Sequence, residues 1–506
     1  MTAVQTQARP APAVRRVHVT PPVSFLRLLG IETRRSQMPL ILPLIALLFW
    51  FDSYRPSASV SPKLYVLVTF WNMGQGHTII DFGPFVAGMA AWIGSRDGRR
   101  GTADLITATV RPRWAAQLAT WAGAAIWAVG GYLVFVGIMF AVYAHNGVTG
   151  ERPWWWVAVG ATAVAAFTAA GFTLGALFPN RFVAPVAAFF GFFAMMMSSQ
   201  TGFHDPTGWA LILPTNSNGN FEQDSGIFYP YLPDLPIARI MFLAGIAVAF
   251  LGILGRAGRG GGRWLRVAGV VVTAGGVAAT STAVGLAGTA KLTATGIEIP
   301  ALHDAASDQP IAYTPVCDGS TFRVCVNPAY KAYLTSVTQA LTPVVAQTSG
   351  LPGTPVSARQ VAATYQPGED GGGMQPLAIT GDPPVLDVPL GAYSFLPGAA
   401  GFTNSTVART AFNEDIWVLY VAAFTGAGSG QGTQAQQAVQ LAMLWGAGVP
   451  LGQQPQEFNL NNTPYGAPVI AAAKKLAAVS ASARHDWLTT HLAALRAGGL
   501  TLEQIP

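Results

Sequence analysis

Residues 95–114 read SRDGRRGTADLITATVRPRW, and this basic stretch lies between two long apolar segments. Residues 102–110 mix small polar with apolar side chains, which favours a short amphipathic helix ending before Pro112. A basic helix between two membrane spans cannot lie in hydrocarbon. The pattern therefore predicts a loop on the cytoplasmic face that a soluble partner can reach, the alternative being an ordinary positively charged loop.

Composition indicates a membrane protein with a separate C-terminal part. The 506 residues are 51% hydrophobic and only 10% charged, whereas soluble proteins average about a quarter charged. Basic residues exceed acidic ones by 10 in residues 1–290, and acidic residues exceed basic ones by 4 in residues 291–506. Membrane topology explains the basic excess of the first part, so the charge does not indicate nucleic-acid binding.

The apolar segments predict seven membrane spans. They cover residues 38–51, 64–94, 115–144, 154–178, 182–199, 237–254 and 267–288. Polar residues 72–78 interrupt the second segment. A single tilted span and an outer-face helix followed by a span from residue 79 both fit, and we favour the second because polar groups are costly at mid-bilayer. His77 and Asp81 form a candidate polar site in the membrane, with simple solvation at its outer end as the alternative.

Basic residues predict the orientation. Sixteen lysines and arginines fall on the same side of the membrane as the N-terminus, and four fall on the other side. Since positive loops stay inside, the N-terminus is expected in the cytoplasm of a multi-pass plasma-membrane protein. The predicted organisation is a disordered cytoplasmic tail at 1–21, an interfacial helix at 22–37, a transmembrane domain at 38–288 and an extracytoplasmic domain at 289–506.

The C-terminal part contains the two cysteines, Cys317 and Cys325. Two neighbouring cysteines outside the cell favour a disulfide, with reduced buried thiols as the alternative. Apolar spacing predicts a mixed, mainly helical domain. Its predicted helices are 330–347, 405–425, 434–446, 468–483 and 484–497, and its predicted strands 377–379 and 385–388. Adjacent Glu414 and Asp415 point in different directions on a helix, so we expect a surface role for both.

Several sequence signatures are absent. The chain has no G-x-x-x-x-G-K-[ST] phosphate loop, no H-E-x-x-H and no G-x-S-x-G. We therefore expect no nucleotide, metal, cofactor or catalytic site in the chain itself. If ATP drives its action, another polypeptide must hydrolyse the ATP.

The basic loop resembles a known family. Its charged cluster, Gly101-Thr102, short predicted helix and Arg111-Pro112-Arg113 are similar to the first cytoplasmic loop of ABC-2-type transporter permeases. The layout of residues 22–255 is also similar: an interfacial helix, two spans, the basic loop and four more spans. The resemblance implies a polytopic α-helical membrane protein with a six-span ABC-2-like core, to which a seventh span and a mixed, mainly helical extracytoplasmic domain are added.

The resemblance also implies a function. It predicts a permease subunit of an ABC transporter, an exporter, that works in the lipid bilayer as a homo- or heterodimer with separate ATPase subunits. The residues expected to couple to the ATPase are Arg99, Arg100, Thr102, Asp104, Leu105, Arg111 and Arg113. A membrane-anchored extracytoplasmic enzyme and a structural or sensory membrane protein are the alternatives.

Overall fold

The chain forms a helical domain followed by a domain that contains a β-sheet. The structure is a computed structural model that describes residues 24–51, 69–101, 113–145, 150–200, 209–213, 224–257, 263–293, 295–319, 321–363, 377–390, 406–427, 432–451 and 465–506. The predicted tail at 1–21 and four of the predicted coupling residues lie outside these ranges: Thr102, Asp104, Leu105 and Arg111.

The helical domain consists mainly of long apolar helices. Their bounds are α1 Phe25–Arg35, α2 Leu42–Phe49, α3 Thr69–Gly94, α4 Arg96–Arg99, α5 Arg113–His145, α6 Trp154–Leu177, α7 Val183–Gln200, α8 Asp234–Ala257 and α9 Arg263–Ala287. Segments of α5, α6, α8 and α9 are long and apolar enough to cross a membrane. These four candidates coincide with four of the predicted spans. The bounds of α1 likewise agree with the predicted N-terminal helix.

Helix α3 differs from the arrangement that we favoured for the second span. It runs without a break from Thr69 to Gly94 and contains Pro84, instead of dividing into an outer-face helix and a span. A continuous helix satisfies the backbone polar groups of residues 72–78 within the segment, which a break inside a membrane does not. The side chains of His77 and Asp81 lie outside the described residues, so their predicted role stays a prediction.

Glycines allow α3 and α6 to pack backbone against backbone. A Cβ atom added to Gly171 would lie 2.1 Å from the carbonyl oxygen of Ala87, and one added to Gly175 would lie 2.0 Å from that of Ala91. Gly94 approaches Phe172 in the same way. Small residues four apart are a common device for close helix packing in membranes. This close contact between α3 and α6 therefore lies within one chain.

Other helix faces are apolar and open to the surroundings. On α7 the exposed side chains include Phe189, Phe190, Phe192 and Phe193, and α9 exposes a row of valines. A soluble protein rarely leaves contiguous apolar surface of this kind uncovered. These faces are suited to contact with lipid.

The C-terminal domain is built on a five-stranded mixed sheet of order β3-β4-β5-β7-β6. The strands are β3 Val316–Asp318, β4 Arg323–Val326, β5 Ser357–Gln360, β6 Ala378–Thr380 and β7 Val385–Val388, and a separate hairpin joins β1 Lys291–Thr293 to β2 Gly296–Glu298. Strands β4, β5 and β7 are parallel, with α10 Leu334–Ala346 between β4 and β5. Later helices are α11 Thr406–Thr425, α12 Gln434–Ala447, α13 Ala467–Ala478 and α14 Ala481–Arg496.

One face of this sheet forms part of the core. Val324, Ala358 and Leu386 lie in neighbouring strands and are buried, and α10 buries Val337 and Leu341. The opposite face presents Arg323 and Arg359, both exposed. This alternation of buried and exposed side chains follows from the two-residue repeat of a strand.

The cysteine prediction is confirmed, and one carboxylate prediction is wrong. Cys317 and Cys325 are directly opposite each other on β3 and β4 and form a disulfide. Asp415, predicted on the surface, has a side chain that is only 2% exposed. The apolar residues around it in α11 place its side of the helix in the core.

Candidate functional site

The described residues bring polar side chains together at both ends of the helical domain. One end holds the two places where the basic loop 95–114 leaves the helices, which we call the loop roots. The other end holds residues 224–234 with their contacts to the C-terminal domain, which we call the junction. The two ends are separated by the length of the apolar helices.

The first loop root joins α1 to α4 and α5. Glu32 of α1 places Oε2 3.7 Å from Nη2 of Arg96 and 3.1 Å from the hydroxyl of Thr120 in α5. The indole N–H of Trp127 donates to the carbonyl of Thr33 at 2.8 Å. Gly123 allows the approach, since a Cβ there would lie 2.9 Å from the backbone nitrogen of Thr33. The N-terminal helix is therefore attached to the base of the loop.

Arg99 of α4, a predicted coupling residue, folds back onto the C-terminal end of α3. Its guanidinium carbon lies 3.4 Å from the centre of the Trp92 ring, and Nη2 donates to the Trp92 carbonyl at 2.9 Å. A cation over an indole face is electrostatically favourable. Arg99 therefore shapes the loop root, whereas the neighbouring Arg100 is exposed and accessible to a partner.

Two further contacts connect the loop roots to α6 and α8. Gly98 packs so closely on Pro179, in the turn after α6, that a Cβ would lie 2.3 Å from the proline ring. Trp114, one residue after Arg113, donates its indole N–H to the carbonyl of Leu251 at 3.0 Å and packs on Gly255. Both loop roots are thus anchored to several apolar helices.

The junction contains two buried carboxylates that accept hydrogen bonds from the C-terminal domain. Asp224 accepts from the hydroxyl of Tyr330 at 2.5 Å and from the backbone N–H of Ala363 at 2.5 Å. Asp234, the first residue of α8, accepts at Oδ2 from the backbone N–H of Ile299 at 2.9 Å. The side chains of Asp224 and Asp234 are 3% and 0% exposed.

A histidine extends the Asp234 contact to the surface. Nδ1 of His303 lies 3.3 Å from Oδ2 of Asp234, and Nε2 lies 3.1 Å from Oδ2 of Asp308. Thr295 donates to the other oxygen of Asp308 at 3.0 Å. Among the described residues, Oδ1 of Asp234 has no hydrogen-bond partner. Imidazole thus bridges a buried and an exposed carboxylate.

The surroundings shift the pKa values of these groups in known directions. Burial raises the pKa of Asp224 to about 6, although the bonds from Ala363 and Tyr330 act in the opposite direction. The hydrogen bond to Asp308 raises the pKa of His303, and burial opposes this shift. The same bond lowers the pKa of Asp308. The pKa of Asp224 is therefore nearer to neutral than that of an unperturbed carboxyl group, and the pKa of His303 is above that of an unperturbed imidazole.

A buried arginine lies just inside this end of the helical domain. Arg239 of α8 is 2% exposed, donates Nε–H to the Leu211 carbonyl at 2.7 Å and lies 4.9 Å from the centre of the Trp156 ring. A charge in an apolar span is costly without such contacts. Arg239 therefore connects α8 to α6 and to the segment around Leu211.

Of the predicted coupling residues, Arg99, Arg100 and Arg113 are described and lie at the loop roots, and their coupling role stays a prediction. The sequence analysis did not identify Glu32, Asp224, Asp234, His303 or Tyr330 as site residues. An acidic residue directly after Pro233 and before an apolar run was a usable signal for Asp234. Asp224 carries no such signal, because its partners are more than 100 residues away.

Comparison of the chain with protein-family models, with curated proteins and with solved structures gives no match.

Proposed function

We propose that this protein is the membrane subunit of an ATP-driven transporter of the ABC-2 type, coupled through residues 95–114 to a separate ATPase. The proposal includes seven spans, the first within residues 38–51 around α2 and the others formed by α3 and α5 to α9, with the N-terminus in the cytoplasm. An odd number of spans then places the C-terminal domain outside the cell. The resemblance of the loop suggests the partner, and the positive-inside distribution suggests the orientation.

The observation that carries the proposal is the anchoring of the loop roots. Glu32, Arg96 and Thr120 connect α1, α4 and α5 at one root. Trp114 connects the other root to α8. A push on the loop is therefore expected to reach α1, α5 and α8 together, as a coupling element requires. An ordinary connecting loop does not need such attachments.

In this mechanism the ATPase subunits move and the helices respond. Closure of two ATPases on ATP displaces the loops of two permease subunits, and the attached helices tilt between inward- and outward-open packings. The coupled free energy is limited to the difference in ATPase affinity for the two packings. Arg100 and Arg113 supply positive charge for the partner surface.

The junction extends this movement to the C-terminal domain. Asp234 begins α8 and holds Ile299 and His303 of the C-terminal domain, while α8 contacts Trp114 near its other end. Tilting of α8 therefore shifts the attachment of that domain. In the proposed transporter, the domain receives substrate or controls its exit on the outer side.

The proposal is tested by gentle purification from native membranes, followed by identification of the bound proteins. We expect a stoichiometric partner with a phosphate-binding loop. The exposed Arg100 is suited to a test variant, Arg100→Glu, which reverses a charge at the loop root. This variant is expected to reduce the amount of copurified ATPase about tenfold.

Arg152→Glu is the matched control, because Arg152 is also exposed but lies near the opposite end of the helical domain. This variant is expected to retain the ATPase at the wild-type level. Reproducible absence of any ATPase from the intact, folded wild-type protein would refute the proposal. It would then make the C-terminal domain the centre of function.

A further inference from the structure

The junction combines two proton-binding groups with the contacts that hold two domains together. Asp224 and the Asp234–His303–Asp308 series both lie between residues 224–234 and the C-terminal domain. A third contact runs from the backbone N–H of Ile311 to the carbonyl of Phe228 at 2.8 Å. The ring of Phe228 also packs edge-on against Tyr313. The polar bonds are therefore part of one continuous interface.

We propose that the junction is an acid-stabilised latch, in which protons bound at Asp224 and His303 hold the C-terminal domain on the helical domain. Loss of these protons as the pH rises loosens the same interface. This inference does not depend on the proposed ATPase partner. It assigns the protein a response to the pH of the compartment that bathes the junction.

The first group acts through burial. Opening the interface returns Asp224 to water, where its pKa falls from about 6 towards its ordinary value of 3.8. The closed interface therefore binds a proton more tightly than the open one. The stabilisation that Asp224 gives to the closed interface is complete below its pKa in the open state and is lost as the pH rises through about 6. Between pH 5 and pH 8 the closed-to-open ratio is expected to fall about tenfold from Asp224 alone.

The second group acts through hydrogen bonds. Protonated His303 donates from both ring nitrogens, to Asp234 and to Asp308, whereas neutral imidazole has one N–H donor. Its pKa is raised in the closed state, so its contribution is present below the ordinary value of 6.5 and lost as the pH rises through the raised value. Asp308 has the opposite effect on closure, because its pKa is lowered in the closed state, but this effect appears only in more acidic solution.

Other charges near these groups do not reverse the sign. Tyr330 and Tyr313 face Asp224. Arg359 acts on Tyr313 and is paired with Asp387 at 2.6 Å. Glu298 faces His303 and favours its protonated form. Glu151 contacts Gly226 through its backbone N–H, and Glu151 itself is exposed. Both titrating groups therefore favour closure at low pH.

Hydrogen–deuterium exchange on the full-length protein in lipid nanodiscs tests the latch. The reporters are peptides containing the amides of Ile299, Ile311 and Ala363, which donate across the junction. After correction for intrinsic exchange rates, their opening constant is expected to rise at least tenfold from pH 5 to pH 8. Peptides from β5, inside the sheet, are expected to show no such change.

Two variants separate the contributions of Asp224 and His303, and a third variant serves as the control. Asp224→Asn removes the titration without changing side-chain size, and His303→Gln keeps a polar side chain that cannot gain charge. Each variant is expected to reduce the pH slope, whereas Asp318→Asn, at an exposed carboxylate of β3, keeps it. A wild-type opening constant that changes less than twofold, or that falls as the pH rises, overturns the latch. Retention of the full pH slope by both variants also overturns the latch. If one variant does not fold, the pH slope of the other decides.

Discussion

At the scale of single residues, the contact between the two domains depends on buried polar groups. Asp224 accepts two hydrogen bonds in a site that excludes water, and each donor comes from the C-terminal domain. An ionised carboxyl group in such a site gains more from each donor than a neutral one does. Burial disfavours the ionised form more strongly than these bonds favour it, so the pKa of Asp224 is raised to about 6 and the closed junction favours the protonated group.

Removal of the Tyr330 hydroxyl tests this dependence. Tyr330→Phe is expected to weaken the junction by about 2 kcal/mol at pH 8, where Asp224 is ionised, and by about 1 kcal/mol at pH 5. Since the lost bond lowers the pKa of Asp224, the midpoint of the exchange profile should move above about 6. The control is Tyr313→Phe, which keeps the ring contact with Phe228. Equal effects of Tyr330→Phe at both pH values would contradict this description.

Residues of this kind were the least accessible to sequence reasoning. Ile299 and Asp234 are 65 positions apart, and Ala363 and Asp224 are 139 apart. Nothing local to either aspartate marks its partner. By contrast, the disulfide was predictable, because its cysteines are eight residues apart and suit the short hairpin of β3 and β4. Proximity in sequence decided which side-chain contacts could be anticipated.

At the scale of elements, packing between helices is set by where glycine permits close approach. Gly171 contacts the backbone of α3, whereas Gly130 of α5 has no neighbouring heavy atom within 4 Å of an added Cβ. Both residues lie inside long helices, where alanine is intrinsically favoured over glycine by about 1 kcal/mol. The two sites therefore form a matched pair.

Alanine substitution should separate packing from helix propensity. Gly171→Ala places a methyl group against a backbone oxygen that cannot rotate away, so we expect a loss of at least about 2 kcal/mol and a lower thermal midpoint. Gly130→Ala is expected to leave the midpoint unchanged or to raise it slightly. Thermal unfolding in detergent, followed by size-exclusion chromatography, measures both. A Gly171→Ala protein as stable as wild type would argue against the α3–α6 contact.

Helices and strands differed in how well their patterns indicated them. Long apolar runs predicted α5, α6, α8 and α9, because a helix satisfies its backbone within the segment. Strands β3, β4 and β5 have three or four residues each and were not predicted. Strand β5 is stabilised by partners on both sides, β4 and β7, which its own four residues do not indicate. Strand β7 was predicted at its observed bounds, 385–388.

At the scale of the whole molecule, the apolar helix α8 connects the loop roots at one end to the junction at the other. Orientation can be tested with single cysteines, since Cys317 and Cys325 are paired in a disulfide. With a membrane-impermeant maleimide on intact cells, Arg152→Cys and Asp486→Cys are expected to react. Arg100→Cys should react only after the membrane is opened. Labelling of Arg100→Cys in intact cells, or of only one of the other two, would contradict the proposed topology.

The central claim is that residues 95–114 contact an ATPase, and site-specific photocrosslinking in native membranes tests it most directly. A photoreactive side chain introduced at Arg100 is expected to form an adduct with a protein that contains a phosphate-binding loop, and the same group at Arg152 is expected not to. Absence of that adduct at position 100, or an equal yield at position 152, would contradict the account.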